Sequence, residues 1–136
     1  MSFTATARRI GESLRHEVDV NGRHTIVTDE PPSLGGTDMG PAPHELLPAA
    51  LASCVSTMVT LYAQRKGWDL GAISVDVVYD ADADPRHFDV TLHLPAGLSA
   101  DQVTRLRRVA ATCPLRRALE ADVSFDEHLR FPALAA

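Results

Sequence analysis

Between Leu46 and Gln64 the chain carries no charged residue. The stretch from His44 to Lys66 nevertheless reads as one helix, about 34 Å long at 1.5 Å per residue. Leu47, Leu51, Cys54, Val55, Met58 and Tyr62 fall along one stripe. The other side holds Ala52, Ser53, Ser56, Thr57 and Thr60, which are small and barely polar. A helix with no charged face needs cover on most of its sides, so the rest of the fold must be built around it. Pro48 near its start and the hydroxyl residues in its middle argue against a membrane span, which takes ~20 predominantly apolar residues. Pro48 is tolerated in the first turn, where its missing N–H has no partner to lose, and Gly67 is the expected C-cap.

The segments on either side supply that cover. Residues 3–28 read as a three-stranded antiparallel meander, with Asn21-Gly22 as a two-residue hairpin turn. Pro31, Pro32, Gly35, Gly36, Gly40, Pro41 and Pro43 fall within thirteen residues, in a long loop expected to be functional or disordered. Ile73, Val75, Val77 and Tyr79 alternate, as do Phe88, Val90, Leu92 and Leu94, so 73–80 and 87–94 form a second hairpin. Ser99 with Gln102 makes a capping box for a helix whose apolar stripe runs Val103, Leu106, Val109, Ala110 and Cys113. Pro114 ends that helix and opens a short one over Leu115 to Ala121. Val123 and Phe125 suggest a last strand. The order βββ-α-ββ-αα-β describes an α+β protein, read as a single domain over 1–136.

Composition removes several function classes. Lys+Arg is 13 against 18 Asp+Glu, a formal charge of -5 in 136 residues, which argues against binding nucleic acid by bulk charge. Arg8 and Arg9 near the start are followed by no apolar run, so no secretion signal is expected and a cytoplasmic location is. Two cysteines are too few for a disulfide scaffold. They form no CxxC pair, and the six histidines have no HxH or HxxxH spacing, so neither a metal nor a cofactor is expected.

The two cysteines themselves sit in unlike places. Cys54 lies in mid-helix among Ala52, Ser53 and Ser56, small neighbours that leave room for a reactant. Its position gives it no help from its own helix dipole, so a thiolate there needs a cation, and arginine is the abundant one. Arg8, Arg9, Arg15 and Arg23 all lie on the opening strands and turns. Cys113 precedes Pro114, which pushes it out of the α region and onto the N-cap of the following helix.

The stretch Gly35-Gly36-Thr37-Asp38-Met39-Gly40-Pro41-Ala42-Pro43-His44-Glu45-Leu46-Leu47-Pro48-Ala49-Ala50-Leu51-Ala52-Ser53-Cys54 resembles the loop and central helix of the OsmC/Ohr family, the osmotically inducible and organic hydroperoxide resistance proteins. Ala111-Thr112-Cys113-Pro114-Leu115-Arg116-Arg117-Ala118-Leu119 resembles the family's second cysteine segment. The resemblance implies an OsmC-like fold, with an intertwined homodimer whose central helices pack back to back. It implies a thiol peroxidase for organic hydroperoxides, with Cys54 attacking, Cys113 resolving, and a dithiol of the lipoyl type as reductant. Glu45 is the candidate for the family glutamate that positions an arginine. It stands one place later than in the family's Asn-Pro-Glu motif, and about 180° around an ideal helix from Cys54. The family's Gly-Gly-Arg turn is replaced here by Ile10-Gly11-Glu12-Ser13, so the sequence looks more like the broader OsmC-like branch. The alternatives on the same fold are a non-catalytic binder of a small hydrophobic ligand and a redox sensor.

Overall fold

A computed structural model describes residues 1–133. Strands β1 (Ala5–Arg9), β2 (His16–Val20) and β3 (His24–Thr28) form one antiparallel sheet in the order β1-β2-β3. Asn21 and Gly22 both take positive φ, at 58° and 69°, as the hairpin turn demands. After a 3-10 turn over Pro43–Glu45 comes α1 (Leu46–Lys66), then the hairpin β4 (Ser74–Asp80) and β5 (His87–His93). Helices α2 (Ala100–Ala110) and α3 (Pro114–Glu120) complete the regular structure.

Helix α1 begins two residues later than the sequence pattern suggests, because Pro43 opens a tighter turn first. Its C-cap is Gly67 at φ 70°, whose N–H is bonded back to Ala63 and Gln64. By length and composition, residues 43–66 are apolar enough to cross a bilayer, contrary to the reading from Pro48 and the hydroxyls. The fold uses them as a core helix instead. Leu51, Val55, Val59 and Ala63, spaced four apart, are buried, and α1 packs on β4, α2 and α3. The capping box of α2 is complete, with Gln102 N donating to Ser99 Oγ and Ser99 N donating to the Gln102 side chain.

One expectation is corrected, and the loop read as functional or disordered loses its second alternative. No last strand forms at Val123 and Phe125. Both are exposed, at 68% and 85%, in an irregular segment that joins neither sheet. The Pro/Gly loop is not disordered but clasped. Asp29 is buried and accepts hydrogen bonds from the N–H groups of Glu30, Thr37 and Met39 and from Thr37 Oγ1. The Thr37 hydroxyl and the Met39 and Glu30 amides hold its carboxyl down at about 2, against burial, so it stays ionised at any neutral pH. Gly36 lies so close to the Glu30 carbonyl that a Cβ there has no room.

The first sheet makes no substantial contact with the helices. The register puts Ala5, Ala7, Val18, Val20 and Ile26 on one of its faces, where Ala5, Ala7 and Ile26 are exposed and Val18 and Val20 half-buried. Along α1, Ala49, Ala50, Ser53, Thr57 and Leu61 are also exposed. The segment 122–133 adds Phe125, Leu129 and Phe131, each more than four-fifths exposed.

Candidate active site

Helix α1 carries Cys54 one residue before buried Val55, so its thiol sits at the edge of the core and is half-buried. The other cysteine arrives from the α2–α3 junction. Cys113 is the N-cap of α3, at φ -50° and ψ 125°, the extended backbone that Pro114 forces on its predecessor. It is fully buried, in the same core cluster as Leu51, Val55 and Leu106. The fold brings the two side chains together across 59 positions of sequence. Cys54 packs against the core cluster that holds Cys113, near enough for the second thiol to raise its pKa, and both are free thiols.

Burial raises the Cys54 pKa above its ordinary 9.0, and the neighbouring Cys113 thiol raises it further. The backbone N–H of Leu115 works the other way, donating to the Cys54 sulfur. Cys113 stands at the N-cap of α3 as Pro114 predicts. The start of α3 also acts on Cys54, through the Leu115 backbone, while the Cys113 side chain caps no N–H. The signal was present in the sequence as Cys-Pro followed by a short helix, but its target could not be read without the crossing of α1 and α3.

Among the described residues, burial, Cys113 and Leu115 shift the Cys54 pKa, and no arginine does. Arg9 is committed to its own turn, donating to the carbonyls of Ser13 at 2.7 Å and Glu12 at 2.6 Å. Arg8 faces Glu17 across the strand pair. Arg15 is different, since its Nε is buried and has no hydrogen-bond partner. Glu45 is exposed in the 3-10 turn ahead of α1 and pairs with no arginine among the described residues. Among the described residues no cluster of His, Cys, Asp or Glu could hold a metal ion.

Residues 36–128 match the family model for OsmC-like proteins, and the chain belongs to that family. A solved Psychrobacter arcticus protein, described provisionally as an osmotic stress induced and detoxification response protein, is similar at 24% identity and TM-score 0.72, over 87% of this chain and 88% of that one. An OsmC-like protein from Mycoplasma pneumoniae is similar at 16% identity and TM-score 0.69, over 88% of each chain. An organic hydroperoxide resistance protein from Elizabethkingia anophelis is similar at 23% identity and TM-score 0.63, over 90% of each. Likeness at these identities establishes the OsmC-like α+β fold. No curated protein matches the chain.

Proposed function

We propose that the protein is a cytoplasmic homodimeric thiol peroxidase that reduces organic hydroperoxides, with Cys54 as the attacking thiol and Cys113 as the resolving one. The observation that carries this reading is the meeting of the two free thiols, one at the core edge and one inside it. The Cys54 thiolate attacks the O–O bond. One oxygen stays on sulfur as a sulfenic acid, and the other leaves as the alcohol after taking a proton. Cys113 then displaces hydroxide from the sulfenic sulfur, forming a disulfide and water. A small dithiol, such as a lipoyl group, returns both cysteines to thiols and is itself oxidised to its disulfide.

Replacing Cys54 with Ser is expected to lower cumene hydroperoxide consumption, with a dithiol as reductant, by roughly 10³-fold or more, the scale on which loss of a covalent nucleophile acts. Equal rates for wild type and variant would overturn the proposal.

A second copy of the chain completes the site. The partly exposed apolar face of the first sheet and the exposed small-residue face of α1 support association, since contiguous exposed apolar surface marks interaction sites. The cation then comes from the partner's opening strands. Arg15 is the arginine we assign, because it alone there keeps a buried donor with no acceptor. A guanidinium beside Cys54 favours the charged form and lowers its pKa, opposing the effect of burial. Arg15→Gln is therefore expected to move the midpoint of iodoacetamide labelling at Cys54 upward in pH, toward and past 9.0. At pH 7 each unit of that shift slows labelling about tenfold. An unmoved midpoint removes Arg15 from the site. Glu45 is the residue proposed to orient that arginine, reaching it across the interface rather than within its own chain.

A further inference from the structure

A cavity of about 440 Å³ lies between α1, β5, α2 and the start of α3. Its volume is in the range of small-molecule sites, roughly 300–1,000 Å³. Leu51 and Val55 of α1, Leu92 of β5 and Val103 of α2 give it apolar walls. Two charged residues line it, Arg107 and Arg116, and no carboxylate does. In a chain of net charge -5 this is a local reversal of sign.

The two arginines are not consumed by the fold. Arg107 makes no ion pair among the described residues. Arg116 gives its Nε to Glu120, at 2.8 Å, which leaves its terminal nitrogens for another acceptor. Glu120 lines a neighbouring cavity, which shares only Leu51, Val90 and Arg116 with the first. An apolar pocket with one unpaired guanidinium, Arg107, and the free terminal nitrogens of a second, Arg116, suits one chemistry. An aliphatic tail takes the walls, and a carboxylate at its end takes charge-assisted hydrogen bonds from arginine.

We propose that this cavity binds a carboxylate-terminated aliphatic molecule, anchored by Arg107 and Arg116. Neither cysteine lines it, although Leu51 and Val55 flank Cys54 in sequence and Ala111 and Arg116 flank Cys113. The site is therefore a neighbour of the thiol pair, and its binding does not depend on the peroxidase reading.

Calorimetric titration with decanoate and with 1-decanol tests the proposal, since the two probes share a tail and differ in charge. Decanoate is expected to bind at least tenfold more tightly than the alcohol. Arg107→Gln, which keeps an exposed position polar, is expected to remove roughly that factor for decanoate and to leave decanol unchanged. Val103→Trp, which fills the cavity, is expected to weaken both, with circular dichroism showing that each variant is folded. No binding of decanoate, equal affinity for acid and alcohol, indifference to Arg107→Gln, or unaltered binding in a folded Val103→Trp protein would each overturn it.

Discussion

Cys113→Ser is expected to leave the first encounter with hydroperoxide intact and to stop the cycle there. Cys54 keeps its surroundings in that variant, including the Leu115 N–H, because serine still precedes Pro114 and preserves the extended N-cap. The Cys54 thiolate should consume about one equivalent of cumene hydroperoxide per chain. Without a thiol opposite it, the sulfenic acid then persists. It should be trapped by dimedone and, with excess peroxide, pass on to the irreversible sulfinic form. The wild type under the same conditions should give little trapped product, because Cys113 reaches the sulfur first. Sustained turnover by Cys113→Ser would assign resolution to another group. Serine offers a slightly stronger hydrogen-bonding neighbour than cysteine, so the first-equivalent rate is the part of the comparison to read with a pH series.

Leu106→Ala carries the second large effect, and it joins stability to chemistry. Leu106 is fully buried on α2, in the cluster that also holds Val55, Val59 and Cys113. Removing its side chain is expected to cost about 2–5 kcal/mol, the transfer loss together with the cavity left behind. At fixed protein concentration this should lower Tm by roughly 8–15 °C for a chain of this size. The α2–α3 junction hangs from the same contacts, so local opening becomes easier and Cys113 should react faster with a thiol reagent than in the wild type. Leu106→Met conserves volume and should cost less than ~1.5 kcal/mol. A Leu106→Ala protein that melts with the wild type and shields Cys113 equally would show that this contact does not hold the junction.

Much of this architecture was legible in the sequence, and the reasons differ by element. The charge-free stretch after Leu46 announced a helix needing cover, and α1 is that helix. Asn21-Gly22, Ser99 with Gln102, and Gly67 each encode their turn or cap in local chemistry, so no tertiary knowledge was needed. Cys113 before Pro114 fixed its own backbone in the same way.

What the sequence concealed depends on which elements meet. The Asp29 clasp joins groups eight and ten residues apart across a loop with no periodicity to read. The Leu115 N–H meets Cys54 only because α1 and α3 cross. The strand expected at Val123 and Phe125 has the right alternation but joins neither sheet, and alternation alone forms no hydrogen bonds. Arg15 looked like any arginine beside a turn, and its distinction is an unpaired buried nitrogen that only coordinates reveal.

One oxidation measures the pairing of Cys54 with Cys113. Wild-type protein, fully reduced, is mixed with one equivalent of cumene hydroperoxide per chain and digested without reductant. Both thiols should disappear together, the undigested, denatured protein should run as a monomer without reductant, and the Cys54 and Cys113 peptides should be recovered joined by a disulfide. Loss of one thiol alone, or a disulfide joining Cys54 to a second chain, would contradict that pairing.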